Sequence, residues 1–127
     1  MYDRNLLIEK LKQIEEALER IHRRSKGINS PDAFLDTPEG LDKLDAICMM
    51  LIAVGESFKK IDIETEGKLL PQYNEIDWKG VKGVRDVLSH NYFNIDAEEI
   101  YYICKHNLDP LQRSVKKMLE DLEQGSQ

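Results

Sequence analysis

"TPEGLDKLDAICMMLIAVGESFKK", residues 37–60, is the stretch from which the fold is read. Thr37 followed by Pro38 marks a helix start. The hydroxyl can accept from a free N–H of the first turn, where proline loses no hydrogen bond. Beyond it, Leu41, Leu44, Cys48, Leu51, Gly55 and Phe58 recur at alternating spacings of three and four, which lays them on one helical face. Ile47, Met50, Ile52 and Val54 add apolar surface away from that face. A helix apolar around most of its girth is buried on two sides. The helix over 38–60 is therefore expected at the centre of a bundle or against a second subunit. Gly55 inside it costs roughly 1 kcal/mol relative to alanine, and a close helix crossing there would account for it.

Upstream, Leu7, Leu11, Ile14, Leu18 and Ile21 form one stripe, Asp3 can cap its start, and Gly27 suits its end, predicting a helix over 3–25. The turn-rich segment between the two helices holds room for one helical turn at Asp32–Leu35. Downstream, residues 61–76 read as short and irregular, with a helical turn near Glu64–Leu70 and a stop at Pro71. Asp77 can cap a helix beginning at Trp78, weakened by Gly80 and Gly83, and ending near Ser89 or His90, ahead of turn-forming Asn91 and Asn94. Asp96 can cap a last helical segment with Glu98 and Glu99 in its first turn. There Ile100, Cys104, Leu108, Leu111, Val115, Met118 and Leu122 keep one stripe. Pro110 predicts a kink or break near 106–110, and the tail 123–127 is expected to fray. No alternating strand pattern competes. The expectation is a single all-α domain over 1–127, a bundle of about four main helices with short extra turns.

The 127 residues carry a net charge of −6, with 24 acidic against 18 Lys and Arg side chains. An acidic chain does not bind nucleic acid by bulk attraction, so any RNA contact needs local basic clusters. Two exist: Arg20, His22, Arg23, Arg24 and Lys26, and Lys79, Lys82 and Arg85. Taken alone, each reads as a solvated helix face. No apolar run is long enough to span a membrane. The start MYDRNLLIEK places charges where a signal peptide needs apolar residues, so a cytoplasmic protein is expected. Cys48 and Cys104 are too far apart for a metal knuckle and read as small buried apolar residues.

"RDVLSHNY", residues 85–92, holds an arginine, a histidine and a tyrosine in a chain with three histidines. Arg85 and His90 are five residues apart, about 140° around an α-helix. They converge only if the helix gives out and the long arginine reaches back. The structural reading is a C-terminal histidine near the helix dipole, an arginine paired with a carboxylate, and Tyr92 at the edge of the core. The chemical reading is RNA cleavage without a metal. The 2′-hydroxyl attacks the adjacent phosphate, His90 moves a proton near neutral pH, and Arg85 steadies the charged phosphorane. One histidine serves poorly as both acid and base in one step, and a second copy from a symmetric subunit would supply the other.

Arg85–Tyr92 matches the Arg-x4-His-x-Tyr motif of HEPN-domain ribonucleases and most resembles the HepT toxin family. "AVGESFKK" at 53–60 resembles that family's Ile-Gly-Glu-Ala-rich helix. "YNEIDWKGVKGVRDVLSHNYFNID" at 73–96 is similar to its Tyr-x-Glu-Ile-x-Trp to Tyr-x-x-Ile-Asp block, departing at Asp77, where many relatives carry proline. The resemblance implies a HEPN-type up-and-down helical bundle and a homodimer whose two motifs line one cleft. It implies a metal-independent endoribonuclease toxin of a type II or type VII-like pair, acting on tRNA or mRNA without a cofactor. It assigns Arg85 and His90 to catalysis, Asp86 to orienting the arginine, and Tyr92 to the tyrosine that a nucleotidyltransferase antitoxin of the MntA type adenylylates. Lys79, Lys82, Arg23 and Arg24 are weaker candidates for RNA contact, and no metal ligands are expected. The alternative is a non-catalytic HEPN module that binds and regulates such a nucleotidyltransferase.

Overall fold

The computed structural model describes residues 2–90 and 96–125, and every side chain among these except those of Ser89 and His90. Helix α1 spans Arg4–Ser25, α2 Asp32–Leu35, α3 Pro38–Glu64, α4 Trp78–His90, α5 Ala97–Tyr102 and α6 Leu108–Glu123. A π-helical turn, Ile103–Asn107, joins α5 to α6 without a break, and a 3-10 turn covers Leu70–Gln72. No strand occurs among the described residues.

The helix starts follow the capping chemistry. Asp3 Oδ1 accepts from the N–H groups of Asn5 and Leu6. Thr37 Oγ1 accepts from Gly40, Asp77 Oδ1 from Gly80, and Asp96 Oδ1 from Glu98 and Glu99. Each satisfies donors that have no partner inside the helix, worth about 1 kcal/mol.

The helices alternate in direction. Lys10 near the start of α1 pairs with Glu64 at the end of α3 at 2.6 Å. Arg4 donates to the Leu122 carbonyl at the end of α6. Lys82 on α4 pairs with Asp62 and Arg85 with Glu56, so α4 runs antiparallel to α3. The chain thus runs up, down, up and down through α1, α3, α4 and the α5–α6 rod. The core fills the middle. Leu7, Leu11, Ile14, Leu18 and Ile21 of α1 meet Ile47, Leu51, Phe58 and Ile61 of α3 and Val115, Met118 and Leu122 of α6, all buried. No described helix is long and apolar enough to cross a membrane.

Five expectations change. The third helix runs four residues past Lys60, because buried Ile61 extends its stripe and the Thr65 hydroxyl donates to the Ile61 carbonyl at 2.8 Å. The chain then reverses through Glu66 and Gly67, both at positive φ. The helical turn expected near Glu64–Leu70 is consequently a 3-10 turn at Leu70–Gln72. The break expected near Pro110 is the π-turn. Proline has no N–H to offer the carbonyl four residues back and its ring crowds that carbonyl. One wide turn before it relieves the clash while the rod stays continuous. Leu41, expected on the buried stripe, is 43% exposed, and Gly40 occupies the buried position in that turn. Glu123 is still helical, with Gln124 N–H closing on the Glu120 carbonyl.

Candidate active site

The motif helix α4 is set by its first turn and by one glycine. Trp78, in its first turn, packs its ring 4.9 Å from Phe58 and donates its indole N–H to the Tyr73 carbonyl at 2.9 Å. Tyr73 in turn donates its hydroxyl to Asp121 at 2.6 Å. Burial and that bond push the Tyr73 hydroxyl well above its ordinary range, while the same bond and Lys117 hold Asp121 below the usual carboxylate range. The loop before α4 is therefore tied to α6. Gly55 permits the crossing with α3. A Cβ at that position would lie 2.7 Å from the Val81 carbonyl oxygen and 2.8 Å from Val84 Cγ1. The close crossing expected from the glycine is present.

That crossing determines what Arg85 meets. Glu56 follows Gly55 directly, and its Oε1 accepts from Arg85 Nη1 at 2.8 Å. Its Oε2 lies 3.7 Å from Lys59 Nζ, too long for a hydrogen bond, and has no hydrogen-bond partner among the described residues. Arg85 remains 54% exposed. One of its donors is anchored on Glu56, and with more than half of the side chain exposed an anion can reach the guanidinium. A half-exposed pair of this kind is worth about 0.2–1 kcal/mol, so Glu56 aims the guanidinium without locking it away from a phosphate.

The remaining candidates are spread over α4 and the top of the bundle. Asp86 and Lys79 are exposed on α4. Lys82 is engaged by Asp62 at 2.7 Å. Position 90 is the last of α4, so the helix is continuous from Arg85 to His90, and the two positions lie about 140° apart around it. The His90 side chain and the whole of Tyr92 lie outside the described residues. Arg23 and Arg24 sit in the last turn of α1. Since α1 and α4 run in the same direction, they share an end of the bundle with the C-terminus of the motif helix. Among the described residues, no three of His, Cys, Asp and Glu gather into a group that could hold a metal ion. Both thiols are pushed up to about 11, chiefly by burial, so they stay protonated at neutral pH and are poor nucleophiles. His106 lies inside the π-turn, its ring 4.4 Å from that of Tyr102.

Residues 14–118, most of the chain, match the family described as "Ribonuclease HepT-like". The chain belongs to the HepT-like ribonuclease family. Among curated relatives, it is 29% identical to a "Gamma-glutamylcyclotransferase and putative RNase" of Methanocaldococcus jannaschii, over 91% of this chain and 48% of that protein. It is 30% identical to a "Putative RNase" of the same organism over 62% of this chain and 65% of that one. A "Putative RNase" of Caldanaerobacter subterraneus subsp. tengcongensis is 28% identical over 87% of this chain and 91% of its own length. The chain thus spans about half of the first of these relatives and just under two thirds of the second. No solved structure matches it. The sequence leaves two readings of Glu56, a contact to the site or a polar partner for Arg85, and the structure shows the pair with Arg85.

Proposed function

We propose that this protein is a metal-independent endoribonuclease toxin. Membership of the HepT-like family supports the class of reaction. The observation that carries the site is Arg85, anchored on Glu56 by one donor and more than half exposed. In the proposed reaction, the 2′-oxygen of a ribose bonds to the adjacent phosphorus as its proton is taken up by a base. The bond from phosphorus to the 5′-oxygen breaks, and that oxygen receives a proton. The products are a 2′,3′-cyclic phosphate and a 5′-hydroxyl. Arg85 presents donors to the equatorial phosphoryl oxygens, where charge builds up. His90 is the proton carrier, and a second His90 from a symmetric subunit fills the complementary role.

Self-association is supported by the outer face of α3. Met49 is 63% and Ile63 76% exposed, on the helix side that also carries Ile52 and Glu56. A homodimer across this face would bring two Arg85 side chains near one cleft. Asp86 is proposed to support the arginine, and Lys79, Arg23 and Arg24 to contribute diffuse phosphate attraction. Tyr92 is the proposed target of an MntA-type nucleotidyltransferase antitoxin. An AMP group there would set a negative charge near Arg85 and repel the RNA backbone.

The net charge of −6 favours one competing reading, a non-catalytic partner of a nucleotidyltransferase with weak RNA affinity. Inducible expression separates the two. The toxin reading expects growth arrest with new RNA ends, relieved by Arg85→Ala at equal protein level. Arrest that persists in the variant, or wild-type expression without RNA cleavage, would contradict it. Mass spectrometry after co-expression with the nucleotidyltransferase tests the modification, and AMP on any residue other than Tyr92 would remove that part.

A further inference from the structure

A groove of about 620 Å³ separates the second half of α4 from α5 and the π-turn. Val84, Leu88, Ile100 and Ile103 give it an apolar lining, and Val87, 50% exposed, forms its α4 edge. On the opposite rim stands Tyr102, 56% exposed. Its ring lies 4.4 Å from the imidazole of His106, tilted by 44°. The two positions are four apart within a widened turn, which brings them close to alignment along the rod. Beside them Lys105 holds its ammonium 5.4 Å from the ring centre of Tyr101, and Tyr101 is fixed by its hydroxyl to the Asn29 carbonyl at 2.9 Å. That bond ties the platform to the loop following α1, whose last turn carries His22, Arg23 and Arg24.

We propose that Tyr102, backed by His106, is a base-stacking subsite for single-stranded RNA, flanking the scissile phosphate. The inference rests on the ribonuclease reading above and extends it to the placement of substrate. An exposed π face beside an apolar groove suits a nucleobase, because every base offers a flat face of its own. The carboxylates nearby, Asp96 and Glu99 on the groove and Glu98 one turn before Tyr102, disfavour a phosphate there. The base therefore enters the groove side while the backbone runs outside it, over Lys105 and towards the basic end of α1. This division also resolves how an acidic protein can hold RNA: stacking supplies contact where bulk charge cannot. The groove's other wall is α4 itself, so a strand held on Tyr102 lies across from the helix bearing Arg85 and His90.

The test uses full-length protein and a single-stranded RNA oligonucleotide carrying 2-aminopurine at each position in turn. A 2′-O-methyl version, which lacks the attacking hydroxyl, reports binding without cleavage. With wild-type protein the fluorescence of one position should be quenched by stacking. Tyr102→Ala should abolish that quenching and raise KM for the cleavable RNA about 5- to 150-fold, as expected for one lost stacked base. The value of kcat should stay within about twofold, because a contact made equally before and during the reaction has been removed. Tyr102→Phe should retain both quenching and KM, and unchanged circular dichroism melting would confirm that the exposed site tolerates alanine. A Tyr102→Ala enzyme with wild-type KM and quenching overturns the subsite and leaves the ribonuclease reading intact. The same unchanged KM with a shift to a smaller species on gel filtration also overturns it and assigns the ring to self-association. Wild-type protein that neither binds nor cuts the RNA removes both readings.

Discussion

Replacing Glu56 by glutamine keeps the shape of the side chain and removes its charge, and the consequences follow from the geometry around Arg85. The unscreened attraction of such a pair, taken at about 4 Å and an effective dielectric near 20, is about 4 kcal/mol. Most of that is returned as lost hydration, because Arg85 is 54% and Glu56 31% exposed, leaving about 0.2–1 kcal/mol. Glutamine can still accept from Nη1 through its carbonyl oxygen, so folding should lose less than about 1 kcal/mol, or at most about 4 °C in Tm for a domain of this size. The effect on catalysis should be larger. An anchored donor acting on the phosphorane is worth about 10²–10³ in kcat, and a loosened anchor should forfeit about tenfold of it. KM should stay level or fall, since a competing negative charge has gone. Steady-state cleavage of a labelled RNA alongside thermal melting reads both quantities. A Glu56→Gln enzyme that melts normally and retains wild-type kcat would show that Glu56 does not position the guanidinium.

Three other outcomes follow from the packing. Gly55→Ala gains about 1 kcal/mol of helix propensity but drives a methyl group to 2.7 Å from the Val81 carbonyl. Overpacking of this kind costs about 1–3 kcal/mol, so the melting temperature should stay level or fall, and a higher value would contradict the close crossing. Cys48 and Cys104 are raised from 9.0 to about 11 by burial. Their contribution is complete below pH 9, where both states are protonated, and is lost as pH rises from 9 towards 11 and the unfolded thiols ionise first. Denaturant titrations should show stability falling over that window, with a shallower slope in the Cys48→Ala, Cys104→Ala double variant. Equal slopes would contradict it. Tyr73→Phe removes the hydroxyl that Asp121 accepts and should cost about 0.5–1.5 kcal/mol. Hydrogen exchange in the loop before α4 should rise with it, and unchanged protection would count against the tie to α6.

Much of the architecture was legible because local chemistry and tertiary packing agree. Asp3, Thr37, Asp77 and Asp96 are side-chain caps whose oxygens have few better uses than the first-turn donors, so sequence alone locates four helix starts. Gly55 was legible for the opposite reason: a residue that weakens its own helix must be compensated by a neighbour, here the backbone of α4. What was hidden depends on long-range partners. Nothing local to Lys82 indicates Asp62, 20 residues away, which engages the ammonium. Thr65 closing on Ile61 lengthens α3 past the point where polar residues suggest an end. Pro110 announces a disturbance, but whether a helix breaks, kinks or widens depends on what the flanking turns can bury, and Ile100 and Leu108 on either side keep the rod whole. At the candidate site, the sequence offers Glu56 as a partner for Arg85, while the geometry that joins them depends on the crossing of two helices.

The most direct measurement is the chemistry of the RNA ends produced by purified protein in EDTA. The account predicts 2′,3′-cyclic phosphate and 5′-hydroxyl termini, and their loss by at least about 10²-fold in Arg85→Ala and in His90→Ala proteins that melt like the wild type. Termini bearing 3′-hydroxyl and 5′-phosphate, or either folded alanine variant cutting at the wild-type rate, would contradict it.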